Sequence, residues 1–430
     1  MSLSMQRRLM DEGHEVLVYI APLSRSQFFG KSFPQQEVGD GIVRKEQNLE
    51  RWKQWGHGGI YFFDSSHYGD IAESLRKRGE LVFGSGTFCD KLEDDRSFGN
   101  GIAQSVGMKL PKSWDFKTIR EAVAFLEGKD EKYYFKTDKY LAADVTCGDV
   151  ASYLIQHLLH YVIPHYGERN TCLLQESISG VGLSTARYWN GRTFVGPYEG
   201  TIEHKAFMDK DIGGATGCSF NYVWLYSNDE TEIVEALHFQ KLEDVWRKNN
   251  APPGIYDINA QISEDSGEAY FLEWTPRLGY DAEPTAQKGI SNYGDFISRI
   301  VKGGDVDGLF SSDVHASVRL SLSPYPFEHI ETIERKKLTG HPIMGTDGTH
   351  ADHFIAYGLK WLPEVGLCLG DPGGLVGLSS ASGRDANAFD ACYNFIDQKL
   401  KIKNLQYRTD AKECVIADLR KISALGYSIR

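Results

Sequence analysis

The chain of 430 residues is 41% hydrophobic, 12% aromatic and 25% charged, with a formal net charge of -12. Those averages are ordinary for globular proteins and exclude collagen-like, mucin-like and wholly disordered chains. No run approaches the ~20 apolar residues of a membrane helix, and the acidic balance argues against a nucleic-acid backbone as partner. The length suits two to four domains. Seven cysteines, among them Cys89, Cys218 and Cys414, are scattered without a CxxC pair, so zinc-ribbon and disulfide frameworks lack their spacing. A cytoplasmic location is expected, with no secretory signal visible.

In chain order, Leu3, Met5, Leu9 and Met10 have helical spacing and residues 14–20 read as a buried strand. An α/β domain ordinarily opens on a strand, so either this fold starts on a helix or the chain lacks its natural first strand, and the second is expected. Alternation follows: a strand over 59–63, a helix over 68–78, and a strand over 80–83 leading into Gly84-Ser85-Gly86. Strands alternating with helices imply a parallel sheet. Residues 95–126 read as helix, loop, helix, 132–136 as a strand, and 150–161 as an amphipathic helix.

The middle of the chain is β-rich, with strands over 172–175, 182–189 and 193–198. Asn190-Gly191 between the last two is a strong hairpin signal. A single helix is expected over 231–248, then a hairpin of 255–263 and 268–274. Short strands (316–321, 365–369, 375–379) and a helix over 385–400 follow.

Three polar clusters carry candidate chemistry. The apolar run Phe271-Leu272 ends in Glu273, with Arg277 four residues on. A carboxylate on a rigid strand suits Mg²⁺ bridging nucleotide phosphates, and an arginine suits a carboxylate or phosphate; a structural Glu–Arg pair is the alternative. His204-Lys205 precedes Asp211-Ile212-Gly213-Gly214-Ala215-Thr216-Gly217, which can cradle an anion or be an ordinary loop. Lys136 closes a strand as either a phosphate contact or a solvated end.

In order and spacing these segments resemble the phosphoribosylamine–glycine ligase family of the ATP-grasp superfamily. The matching stretches include Phe135-Lys136-Thr137-Asp138, Leu174 to Gly180, Glu203-His204-Lys205 with Asp211, Gly213 and Thr216, and Glu273, Arg277, Gly279 and Glu283-Pro284. Gly383-Arg384 and Gln406 to Asp410 resemble the family's closing motifs.

The resemblance implies an α/β, ATP-grasp fold. A truncated N-terminal parallel-sheet domain would cover 1–105, a two-lobed ATP-grasp domain 106–300, and a small mixed α+β domain 301–430. It implies ATP-dependent joining of a carboxylate and an amine through an acyl phosphate, in purine synthesis. Lys136, Gln175, Glu176, Ser177 and Ile178 would bind ATP. Glu273 and Gln261 would bind Mg²⁺ or Mn²⁺. Arg277, Lys205 and Asp211 would serve catalysis, and His204, Gly213, Thr216 and Arg277 the substrate. The partners would be small molecules, with no nucleic acid or membrane, and the chain a monomer or homodimer.

The sequence also departs from the family. Leu141 to Thr146 replaces a glycine-rich phosphate loop, Asn100 an earlier nucleotide lysine, Val181 or Gly182 a ribose-binding acid, and Thr275 a metal-binding asparagine. Three readings stand: an active ligase of this kind, a ligase with another acid and amine, and an inactive phosphoribosyl- or nucleotide-binding homologue.

Overall fold

The computed structural model describes residues 3–20, 37–137, 147–226, 231–311, 313–326, 338–346 and 353–429. The 141–146 segment that departs from the family pattern lies outside the described residues.

The N-terminal part holds helix α1 (Leu3–Asp11), the parallel pair β1 (Leu17–Tyr19) and β2 (Arg44–Glu46), and α2 (Leu49–Trp55). A second parallel pair, β3 (Ile60–Phe62) and β4 (Leu81–Phe83), brackets α3 (Gly69–Lys77). Then come α4 (Thr87–Asp94) and α5 (Arg96–Val106). Gly107 ends α5 in the left-handed region, at φ 99°, letting the Met108 N–H reach back to the Ala103 carbonyl. A residue with a Cβ is strained there, which is why glycine closes so many helices.

A separate lobe follows. Its four strands are β5 (Ser113–Phe116), β6 (Lys132–Thr137), β7 (Cys147–Val150) and β8 (Cys172–Glu176), in the order β5-β8-β6-β7. The strand β5 lies where loop was expected. Helix α6 (Ile119–Leu126) starts at Thr118, whose hydroxyl accepts from the Glu121 N–H, while the Glu121 carboxylate accepts from Lys117 N. That closely follows the reciprocal capping pattern of Thr and Glu three residues apart. Helix α7 (Ala151–His157) runs through a π-helical turn, Leu158–Val162, into α8 (Ile163–Tyr166). Ala122, Leu126, Phe135, Leu154, Leu158 and Leu174 bury together as this lobe's own core.

The largest element is a nine-stranded sheet. Its members are β9 (Gly180–Trp189), β10 (Phe194–Met208), β11 (Ile212–Leu225), β12 (Gly254–Ser263), β13 (Ala269–Thr275), β14 (Val314–Leu322), β15 (Phe354–Ala356), β18 (Leu375–Gly383) and β19 (Leu405–Gln406). The order is β13-β12-β9-β10-β11-β14-β18-β15, with β19 beside β14. Strands after residue 300 therefore continue the sheet begun before it, through the antiparallel pairing of β11 with β14. The small hairpin β16 (Leu359–Leu362) and β17 (Gly366–Leu369) stands apart.

Period-two patterning gives the large sheet two unlike faces. Ile258, Ala260, Ile262, Leu183, Ile202, Phe220 and Tyr222 bury in the main core. Asp257, Asn259 and Gln261 alternate with them and face the other way. The Asn190-Gly191 turn joins β9 to β10 as expected, with Asn190 Oδ1 accepting from the Arg192 and Thr193 amides at 2.9 Å.

The helix expected over 231–248 is broken. Helix α9 (Glu232–Ala236) and α10 (Leu242–Lys248) are separated by His238, at φ 49°, and a short 3-10 turn. The break lets Leu237, Phe239 and Leu242 all bury, which one straight helix would not permit at that spacing. After α11 (Ala282–Ala286) and α12 (Tyr293–Val301), the chain closes with α13 (Ala388–Gln398) and α14 (Ala411–Ala424). Helix α1 docks on α12: Glu12 accepts from the Tyr293 and Gly294 amides at 2.9 and 2.7 Å. No described helix is long and apolar enough to cross a membrane. Cys89, Cys172, Cys218, Cys368, Cys392 and Cys414 are free thiols.

Candidate active site

The polar face of the large sheet and the end of β6 supply one charged cluster. Lys136, on β6, donates to Gln175 Oε1 on β8 at 2.7 Å. Burial pulls its pKa down to about 8, helped by the nearby charges of Arg96 and Lys205 and opposed by Glu273. A lysine held this way, among other cations, is short of negative charge and suited to an anionic ligand. Lys205, on β10, lies 3.2 Å from Glu203 and 4.0 Å from Glu273. Those two carboxylates keep it above its ordinary pKa, with Glu203 the stronger.

Glu273 stands on β13 directly opposite Asn259 of β12, and Gln261 stands opposite Tyr270. The register slips between Asn259 and Ala260, so a bulge decides which residue neighbours the carboxylate. Asn259 also donates to Thr275 Oγ1 at 2.9 Å. Asp257 faces this group as well. Burial, with Glu203 and Glu273 adding, raises its pKa to about 7, against a Ser184 hydrogen bond and Arg277. Sequence reasoning did not single out Asp257, Asn259 or Arg96. Their strand alternation was the available signal for the first two.

Arg277 is paired, but with Glu93 at the end of α4, at 3.0 Å, and its guanidinium lies over the Tyr280 ring. Burial works against its charge, yet Glu93 and Tyr280 outweigh that and raise its pKa. The arginine thus fastens the N-terminal part to the large sheet at the edge of the cluster.

At the hinge between lobe and sheet, the Glu176 amide donates to the Lys112 carbonyl and that of Ser177 to Lys132. Those two amides hold the hinge itself. Ile178 follows them into β9.

His204, Asp211, Gly213 and Thr216 lie on the β10–β11 hairpin. His204 sits between Asp211, at 2.8 Å, and Asp418 of α14, also at 2.8 Å, and stacks on Phe220. Burial lowers its pKa, but the two carboxylates prevail and raise it. Arg408, 2% exposed, donates to Asp211 and forms a two-bonded fork with Asp410. His204 and Asp211 therefore clasp the hairpin to the C-terminal segment. Thr216 Oγ1 donates to the Lys205 carbonyl at 2.8 Å, and Gly213 is exposed at φ 90°.

Among the described residues no three His, Cys, Asp or Glu side chains are gathered to hold a metal ion alone. One exposed carboxylate, Glu273, suits a divalent cation in the manner of nucleotide sites, where one or two carboxylates share the ion with phosphates and water, and the two lysines beside it suit the phosphates.

No family profile matches the chain. It is 22% identical over 354 residues to a phosphoribosylamine–glycine ligase of Leifsonia xyli subsp. xyli, covering 79% of this chain and 80% of that protein. Among solved structures, a phosphoribosylamine–glycine ligase from Thermotoga maritima superposes with a TM-score of 0.68 at 18% identity, covering 95% of this chain and 96% of that one. The biotin carboxylase domain of the Hydrogenobacter thermophilus 2-oxoglutarate carboxylase, solved with MgADP and bicarbonate, superposes with a TM-score of 0.60 at 9% identity, over 97% of this chain and 90% of that one. A four-stranded lobe hinged to a large antiparallel sheet, with lysines from both meeting a carboxylate, is the architecture of the ATP-grasp fold. Within that fold, the proteins it is similar to along most of its length are phosphoribosylamine–glycine ligases.

Proposed function

We propose that the chain is an ATP- and Mg²⁺-dependent carboxylate–amine ligase, with glycine and phosphoribosylamine, joined to glycinamide ribonucleotide in purine biosynthesis, as its substrates. The observation that carries this reading is the meeting of Lys136, Lys205 and Glu273 from separate lobes on one charged cluster. Such chemistry asks the protein for positioning and charge neutralisation and needs no covalent nucleophile.

On this reading Lys136 and the Gln175 to Ile178 hinge hold ATP, and Glu273 with Asn259 or Gln261 would hold the metal. Bound with ATP, Mg²⁺ supplies charge neutralisation of the phosphates. Lys205 orients the anionic end of the acid, and Arg277, fixed by Glu93, borders the same cleft. His204 and Asp211 act through the hairpin that carries Lys205, Thr216 and Gly217. The enzyme would work in the cytoplasm.

A noncatalytic nucleotide- or phosphoribosyl-binding homologue is the second reading. What favours it is that Arg277, His204 and Asp211 all have their charged groups engaged within the protein.

The test is ADP release from Mg-ATP with glycine and phosphoribosylamine, alongside melting with and without Mg-ATP. Release that needs both substrates supports the ligase. A nucleotide-dependent melting shift without release, under any pairing of small acids and amines, supports the noncatalytic reading.

A further inference from the structure

A second arginine lies close to the substrate hairpin, and neither the Lys136–Glu273 cluster nor the resemblance accounts for it. Arg319, on β14, is 7% exposed, and Asp281 is 1% exposed. The two form a two-bonded fork: Nε donates to Asp281 Oδ2 at 2.8 Å and Nη2 to Oδ1 at 2.5 Å. Tyr357 adds a third hydrogen bond to Oδ1 at 3.0 Å, and Arg319 Nη1 donates to the Tyr325 hydroxyl at 2.5 Å. The guanidinium is thereby fixed in plane and direction.

Burying such a pair is a poor route to stability. Desolvation offsets most of the attraction, and well-packed apolar side chains often do as well. The direction of the guanidinium is more informative. Its Nη1 and Nη2 lie 3.6 and 3.8 Å from where a Cβ would stand at Gly217, and the Tyr280 ring is also 3.6 Å from that point. Gly217 is exposed, and Tyr280 is 61% exposed. Thr216, the preceding residue, bonds to the carbonyl of Lys205. The buried Cys218 thiol, the following residue, has its pKa pushed up by burial, Asp281 and Glu203, with Arg319 opposing. One short stretch of β11 therefore links the Lys205–Glu203 pair to the Asp281–Arg319 pair, and its one residue without a side chain stands over the guanidinium.

We propose that Arg319, aimed by Asp281, binds the carboxylate of the acid substrate together with Lys205, and that Gly217 keeps the guanidinium open to the cleft. The proposal rests on the ligase reading. Asp281 takes the Nε–Nη2 edge, and the other edge, between Nη1 and Nη2, is the one that faces Gly217. Its paired N–H groups match a carboxylate better than a point charge does, which suits the arginine to this end of the substrate and Lys205 to the side nearer the phosphates. Tyr280, between Arg277 and Gly217, forms the wall of the same subsite.

The experiment uses the full chain with Mg-ATP, glycine as the acid and hydroxylamine as the amine, reading glycine hydroxamate. Three variants are compared. Arg319→Lys keeps the charge and loses the fork. Arg319→Gln loses both. Gly217→Val keeps both members of the buried pair and fills the opening, with its Cβ at ordinary contact distance from the guanidinium and no left-handed backbone angle to strain it. Removing hydrogen bonds to a charged group should raise the glycine KM about tenfold to a hundredfold, with Arg319→Gln the worst affected. The ATP KM should stay within about twofold, a split that general loss of packing would not produce.

A glycine KM unchanged in Gly217→Val and Arg319→Lys overturns the proposal, as does a parallel rise for ATP. A KM change confined to phosphoribosylamine, assayed in place of hydroxylamine, also overturns it by assigning the arginine to the other substrate. If the unmodified chain forms no hydroxamate while binding Mg-ATP, the ligase reading itself fails and takes this assignment with it.

Discussion

The Nζ of Lys136 donates to the side-chain oxygen of Gln175 at 2.7 Å, joining β6 to the last turn of chain before the hinge. The bond is neutral at its acceptor, so it leaves the ammonium without a paired carboxylate. Burial, with the charges of Arg96 and Lys205 adding and Glu273 opposing, pulls its pKa down to about 8.

A depressed lysine pKa has a defined sign. Below about pH 8 the native state carries the cost of the buried charge; between about 8 and 10.5 the unfolded state binds more protons, so stability rises with pH. Lys136→Met should therefore be at least as stable as the parent at pH 7, with the gap closing above pH 10. An anionic nucleotide should also draw a proton onto Lys136 at pH 8.5. Calorimetry in buffers of different ionisation heat should show that uptake with Mg-ATP, and Lys136→Met should lack it.

Glu273→Gln keeps the shape of the side chain and removes its charge. At about 100 times its dissociation constant, Mg-ATP adds roughly 2.7 kcal/mol to the parent, a melting shift of a few degrees. In the variant, the part of that shift that requires Mg²⁺ should vanish, and turnover with it. A variant with an unchanged Mg²⁺ dependence would remove Glu273 from the metal assignment.

The His204 clasp predicts the opposite pH behaviour. Its folded pKa is raised, so its contribution is fully present below the ordinary value of 6.5 and is lost as pH rises through the folded value. His204→Gln should cost about 1.5–3 kcal/mol at pH 6, the worth of hydrogen bonds to a charged group. The deficit should narrow toward pH 9 in denaturant titrations. A deficit that widens with pH would mean that the ring is held neutral.

Glu12 caps α12 from outside that helix. Replacing it by Ala leaves the Tyr293 and Gly294 amides without their acceptor, at a cost of about 1 kcal/mol, comparable to other lost caps. Hydrogen exchange at those two amides should quicken about fivefold, with little change in the four-stranded lobe.

Much of this protein can be read along the chain because the relevant signals are local. The Asn190-Gly191 turn, the hairpin of 255–263 with 268–274, and the two-residue alternation of Asp257, Asn259 and Gln261 against Ile258, Ala260 and Ile262 depend on neighbours a few residues away. The order of the polar clusters, too, sufficed to indicate the ATP-grasp fold and the likeness to phosphoribosylamine–glycine ligases.

Partner choice did not yield to the same signals. Arg277 pairs with Glu93, 184 residues earlier, and not with the Glu273 beside it in the chain. One bulge in β12 sets Asn259, rather than Gln261, across from Glu273. His204 and Asp211 read as ligands in isolation, and only the packing of α14 and Arg408 against the hairpin turns them into a clasp. The helix over 231–248 breaks because three apolar residues are drawn to one core, which helical spacing alone would have kept on different sides. Local pattern specifies which face of a strand or helix is polar. Which charge meets which across the fold is decided by strand register and long-range packing, and those are properties of the assembled chain.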